Sequence, residues 1–198
     1  MVVAALYGAG SGALHAVTGP DHLLSLGPIA LTRPRAPWRI GLAWGFGHAL
    51  GTLLLGLPAL FLARFVHLPS LSAWGDRMAA ITLLATALWS ALSLRKRAQP
   101  TADAATRDDV RSPVAVGLVH GVSGAASLML MLPLLVRGDP VSGALFLAAF
   151  GLGGMVAMAA LTSLLAEVGG KLGARTIAGA QLALVLASAL LGVAWLVG

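Results

Sequence analysis

Apolar residues run almost unbroken through this chain, in stretches at about residues 2–32, 40–63, 76–94, 113–136, 141–166 and 175–197. Most approach the roughly 20 residues that a helix needs to cross a bilayer core. The pattern predicts an all-α integral membrane protein of six transmembrane helices. The first stretch has no basic segment ahead of it and carries two histidines and an aspartate, so it reads as a retained span and not as a cleaved signal. Its length fits either one long kinked helix or a re-entrant pair.

One polar linker interrupts the pattern, "RKRAQPTADAATRDDVRS" at residues 95–112, whose mixed charges, proline and small residues predict a flexible loop. It divides the chain into residues 1–94 and 113–198, and these halves look alike. Laying His15 on His120 sets "GALHAVTGPDHLLSLGP" over "VGLVHGVSGAASLMLMLP" and brings Pro28 onto Pro133. "GFGHALG" then falls on "GLGGMVA", and "WSALSL" on "ASALLG". Each half predicts three spans. Because three is odd, the second copy lies upside down relative to the first, as two inverted three-helix repeats.

Composition fits this reading: the mean hydropathy is +0.90, with 58% hydrophobic and 10% charged residues. Cysteine is absent, which excludes disulfides and thiolate sites and leaves nitrogen and oxygen ligands for any metal. A net charge of +6 would suit nucleic acid, but the positions of the charges give it another meaning. Arg33, Arg35 and Arg39 fall in the first loop, Arg95, Lys96, Arg97, Arg107 and Arg111 in the third, and Lys171 and Arg175 in the fifth. Only Arg64, Arg77 and Arg137 fall in the even loops. By the positive-inside rule the 95–112 loop is cytoplasmic and both termini lie outside a cell plasma or inner membrane. Lipid is then the partner, not nucleic acid.

The chemistry is concentrated in "GALHAVTGPDHLLSL", residues 12–26. Pro20 lacks an N–H and its ring crowds the carbonyl of Ala16, and Gly19 weakens the helix further, so the first helix breaks at Gly19-Pro20. A broken helix inside a membrane is tolerated where protein or a polar cavity surrounds it, and inverted repeats place ion sites at such breaks. His15, Asp21 and His22 cluster there, and ionisable groups at that depth need a compensating partner. His48 sits about as far beyond the first loop as His22 sits before it, so the two share a depth and can meet. His120 is either a further ligand or a relic held by Ser123 or Ser127. His67, Asp76, Asp139 and Glu167 lie near predicted helix ends, where hydration costs little. Glycines four apart, such as Gly8 and Gly12, Gly47 and Gly51, or Gly117 and Gly121, permit close helix contact.

Imidazoles with one carboxylate suit Ni, Co, Zn, Cu or Fe, and affinity order does not choose among them. No P-loop motif is present, so transport would be secondary or driven by another subunit. The stretch from His15 to His22, followed by "GLAWGFGHALG", resembles the nickel/cobalt transporter superfamily, including its shorter members described as urease-accessory or nickel-efflux membrane proteins. Larger permeases of that family have four residues between the histidine and the Asp-His pair, whereas "HAVTGPDH" has five, as in the shorter branch. The resemblance implies that His15, Asp21, His22 and His48 handle a transported divalent ion, Ni2+ or Co2+, with no prosthetic group. Three classes of function follow. A secondary metal-ion permease, with proton coupling through the imidazoles and Asp21, leads. An intramembrane metalloenzyme lacks an obvious general base, and an exporter of small organic or sulfur anions would depend on the cationic loops.

Overall fold

The computed structural model describes residues 1–31, 35–62, 110–123 and 140–197, together with helical positions within 77–92. Six helices are complete enough to label: α1 (Val2–Thr18), α2 (Pro20–Ala30), α3 (Pro37–Leu62), α4 (Arg111–Ser123), α5 (Pro140–Lys171) and α6 (Ala174–Val197). The apolar stretch Leu83–Leu92 is also helical. The described residues are helical with no strand. His67, Asp76, Ala126, Ser127, Pro133, Asp139 and most of the 95–112 linker lie outside them.

Among the described residues three helices are long and apolar enough to cross a membrane: Pro37–Pro58, Pro140–Lys171 and Ala174–Val197. A fourth crossing is added if α1 and α2, bent by 66° at their junction, count as one. Six spans are thus not shown; the third and fourth apolar runs extend into residues outside the description. Boundaries also shift. Arg111 and Ser112, read as linker, form the first turn of α4. Helix α5 runs on to Lys171, where Lys171 Nζ donates to Glu167 Oε1 one turn back at 3.0 Å.

Helix α1 breaks where proline removes the ladder. Gly19 is extended, with φ −70° and ψ 109°, and its N–H still caps the His15 carbonyl. Pro20 then opens α2 at a position where a missing N–H costs nothing. Helix α1 packs along α5, α3 packs against both α4 and α5, and α2 leans on α6. Gln181 of α6 fixes that last contact by donating from Nε2 to the Pro28 carbonyl at 3.0 Å. Ala16, Leu26, Ile40, Trp44 and Met158 form the core at the centre, and Phe146, Leu147 and Phe150 a second cluster.

The helix contacts are reciprocal. The alignment that lays His15 on His120 also lays Gly12 on Gly117 and Ala9 on Val114. Its second block lays Trp44 on Phe150, Gly45 on Gly151, Gly47 on Gly153 and Ala49 on Met155. A Cβ on Gly12 would overlap the Phe150 carbonyl, and one on Gly117 the Trp44 carbonyl. Gly47 is pressed against the Val114 carbonyl and Gly153 against that of Ala9. A Cβ on Gly45 would come 2.7 Å from Met155 Cα, and one on Gly151 2.8 Å from Ala49 Cβ. Thus α1 meets α5 as α4 meets α3, residue for aligned residue.

These contacts leave a large apolar exterior. Leu152, Val156 and Leu164 of α5 and Leu182, Leu186, Leu190 and Val193 of α6 are all exposed. Gly12→Ala and Gly117→Ala are expected to destabilise the fold by about 1–3 kcal/mol each through overpacking. Gly10→Ala, whose Cβ would meet nothing within 4 Å, should unfold at the wild-type midpoint or slightly above it. Denaturant titrations in detergent make the comparison, and equal midpoints for all three would show that the crowding is relieved at no cost.

Candidate metal centre

The break between α1 and α2 organises the site. Pro20 cannot donate to the carbonyl of Ala16, and the imidazole of His22 takes over that duty, with Nδ1 donating to Ala16 O at 3.4 Å. A ring that donates through Nδ1 keeps the lone pair on Nε2, the arrangement in which a backbone carbonyl fixes the tautomer of a metal-binding histidine. His22 Nε2 is buried and has no hydrogen-bond partner among the described residues. Gly19 makes the geometry feasible, since a Cβ there would lie 2.6 Å from His22 Nδ1 and 2.8 Å from Asp21 Oδ1.

Helix α3 contributes His48 and, one turn earlier, Trp44. The two rings stack, 5.2 Å between centroids and 10° between planes. His22 stands edge-on to both, 5.2 Å from each. Neither ring nitrogen of the buried His48 has a hydrogen-bond partner among the described residues. Leaving one such buried group unsatisfied costs about 1–3 kcal/mol, so this arrangement is held at the expense of stability.

His15, at the end of α1, is half-buried and lies 4.6 Å from His22 and 5.8 Å from His48, centroid to centroid. His120 enters from α4, where its Nε2 donates to Asp21 Oδ2 at 2.7 Å. Its ring is 5.1 Å from His22 and 5.9 Å from His48. Two sets of donor atoms therefore arise, His15 with His22 and His48, and Asp21 with His22 and His120, the atoms of each set lying within 4.8 Å of one another. All five side chains come together at one place.

The sequence left open whether His120 was a ligand or was held by Ser123 or Ser127; the structure pairs it with Asp21. Trp44 was missed, although its position four residues before His48 puts it on the same helix face. Ring contacts repeat the reciprocity of the glycines: His15 lies 5.5 Å from Phe150, and its aligned partner His120 lies 5.4 Å from Trp44, the residue aligned with Phe150.

Two curated relatives are similar to this chain, both from Arabidopsis thaliana. "Chloroplast protein FOR GROWTH AND FERTILITY 2" is 32% identical over 164 residues, 77% of this chain and 44% of the relative. "Chloroplast protein FOR GROWTH AND FERTILITY 1" is 29% identical over 174 residues, 77% of this chain and 47% of the relative. The chain thus spans less than half the length of either. No family model matches, and no solved structure matches.

These relatives overturn the nickel/cobalt transporter resemblance, because they are plant chloroplast proteins and not members of that family. A short pattern of two histidines and an aspartate around a helix-breaking proline meets a chemical need that unrelated chains can share. The plasma or inner membrane location falls with it, along with the cytoplasmic loop and the external termini. Loop charges orient a chain relative to the compartment that inserts it; they do not name the membrane.

Gly19→Ala tests how far the site depends on the bend. The added methyl group must displace His22 or Asp21, and a fall of roughly 10- to 100-fold in affinity for a divalent ion is expected, the range for losing a supporting contact. Isothermal titration of the folded variant measures it. Wild-type affinity would mean that the rings tolerate the methyl group.

Proposed function

We propose that this chain spans a membrane as two inverted three-span units and carries a divalent transition-metal ion through the centre formed by His15, Asp21, His22, His48 and His120. The observation that carries the reading is the orientation of His22. Its Nδ1 serves the carbonyl that Pro20 releases, while its unpartnered Nε2 stays inside a buried cluster of imidazoles. A purely structural histidine would satisfy both nitrogens. The donor set is that of the first-row divalent ions as a group, and nickel and cobalt enter only as members of that series. The ion is cargo, exchanged at a site with two half-buried members, His15 and Asp21.

Two further observations support the membrane architecture. Exposed leucine and valine on α5 and α6 form the kind of continuous apolar exterior that lipid covers. The exchange of contacts between α1 with α5 and α4 with α3 is what a two-fold relation between duplicated halves produces, and odd-numbered halves make that relation an inversion.

Proteoliposomes loaded with a metal-sensitive dye, supplied in turn with Mn2+, Fe2+, Co2+, Ni2+, Cu2+ and Zn2+, test transport. Flux of at least one ion is expected, abolished by His22→Ala and unaffected by Lys171→Ala at the exposed end of α5. The affinity of His22→Ala should fall by at least about 100-fold, the upper end of what supporting contacts alone cost. An ion that binds tightly but never crosses would instead point to an intramembrane metalloenzyme.

The inverted arrangement has its own test in this cysteine-free chain. Single cysteines placed at residue 2, residue 103 and residue 197 should label so that the two ends react from one face and residue 103 only from the other. Labelling of residues 2 and 197 from opposite faces would remove the odd-numbered halves.

A further inference from the structure

The two donor sets share His22, and each is completed by a histidine from a different half: His15 from α1 for one and its aligned partner His120 from α4 for the other. We infer that the centre is two alternative stations for a single cation, which is handed from the His15 side to the His120 side while His22 remains bound. This rests on the metal-carrier reading above and specifies how that site works.

Several features of the geometry favour two stations over one five-ligand site. Ligands around a tetrahedral ion with metal–nitrogen bonds of about 2.1 Å lie about 3.4 Å apart. The donor atoms of each set lie within 4.8 Å of one another, so either trio closes on an ion by small shifts, Asp21 and His120 parting from their 2.7 Å contact to do so. His15 and His120 approach the shared ring from different helices, each resting on its own aromatic platform, Phe150 for His15 and Trp44 for His120. Closing on one therefore engages a different helix from closing on the other. His22 is anchored through Nδ1 to Ala16 and so presents one nitrogen, which an ion at either station must use. Two dications sharing it would also repel at that spacing.

The stations differ in charge. His15, His22 and His48 are neutral donors when they bind, so a dication there keeps its full charge. Asp21 cancels one unit at the other station. In the structure Asp21 accepts from His120 at 2.7 Å, so the second station is closed by its own hydrogen bond until an ion separates the pair. A high-charge station and a reduced-charge station joined by a common ligand give a cation a route in which it is never stripped of every donor.

Co2+ serves as probe, because its visible absorption reports donor type and coordination number. With the full-length chain in detergent, wild type is expected to bind one Co2+. His120→Gln should keep binding within about tenfold through an all-nitrogen set, and His48→Gln within about tenfold through a set containing carboxylate oxygen. The two spectra should differ, X-ray absorption should give the oxygen donor only to the second, and both variants should lose at least about tenfold in flux. His22→Gln should abolish both forms of binding. Circular dichroism and gel filtration establish that each variant is folded, and His120→Ala and His48→Ala repeat the test with smaller side chains. Equal loss of binding in the His48 and His120 variants would mean one undivided site and overturn the inference. So would wild-type flux in either, or two magnetically coupled ions bridged by His22. Failure of wild type to bind Co2+ or any other ion of the series would instead remove the metal-carrier reading on which the inference stands.

Discussion

The carbonyl of Ala16 has no partner in its own helix, and the rest of the site follows from that. Proline four residues on removes the donor, and Ala16 is buried. An unsatisfied carbonyl in such a place is expensive, so a side chain must turn back to meet it. His22 does so at 3.4 Å. The same contact that repairs the backbone sets the ring's orientation and tautomer and keeps its other nitrogen free. Backbone repair and the orientation of the ring are thus one interaction, and Gly19 is required because the turning ring occupies the space that a Cβ would fill.

Around this bend the helices are held by close backbone approach. Glycines on α1, α3, α4 and α5 let carbonyl oxygens of the facing helix come to contact distance, which increases dispersion and admits weak Cα–H donation. Such interfaces have little room to slide, and they join α1 to α5, α5 to α3 and α3 to α4 in one run of contacts. The histidines cluster among these helices. His15 lies on α1 and His120 on α4, at the two ends of that run, with His48 on α3 and His22 on the short α2.

The Asp21–His120 contact ties residues 99 positions apart and crosses between the two halves. In a low-dielectric interior such a pair persists because removing one member strands the other. It gives the broken helix of the first half a fixed partner in the second. Trp44 covers the cluster from one side, stacking on His48 and touching His22 and His120, so three of the four clustered imidazoles share one aromatic wall.

Much was legible in the sequence because it depends on local covalent facts. The break at Gly19-Pro20 follows from a missing N–H and a ring clash, the helical class from long apolar runs, and the grouping of His15, Asp21 and His22 from their spacing around that break. His48 could be matched to His22 because depth follows from the count of residues beyond a loop. The likeness of the halves was also visible as an alignment. The partner of His120 was not, since a hydrogen bond across 99 residues leaves no local trace and nearby serines offered equally good chemistry. Nor could the sequence tell that Trp44 would wall the site, that Gln181 would hold Pro28, or that His22 would complete two donor sets. Those depend on which helix faces which, and that is decided by the fit of glycines against carbonyls over whole helix lengths, a property of packed surfaces and not of any one segment.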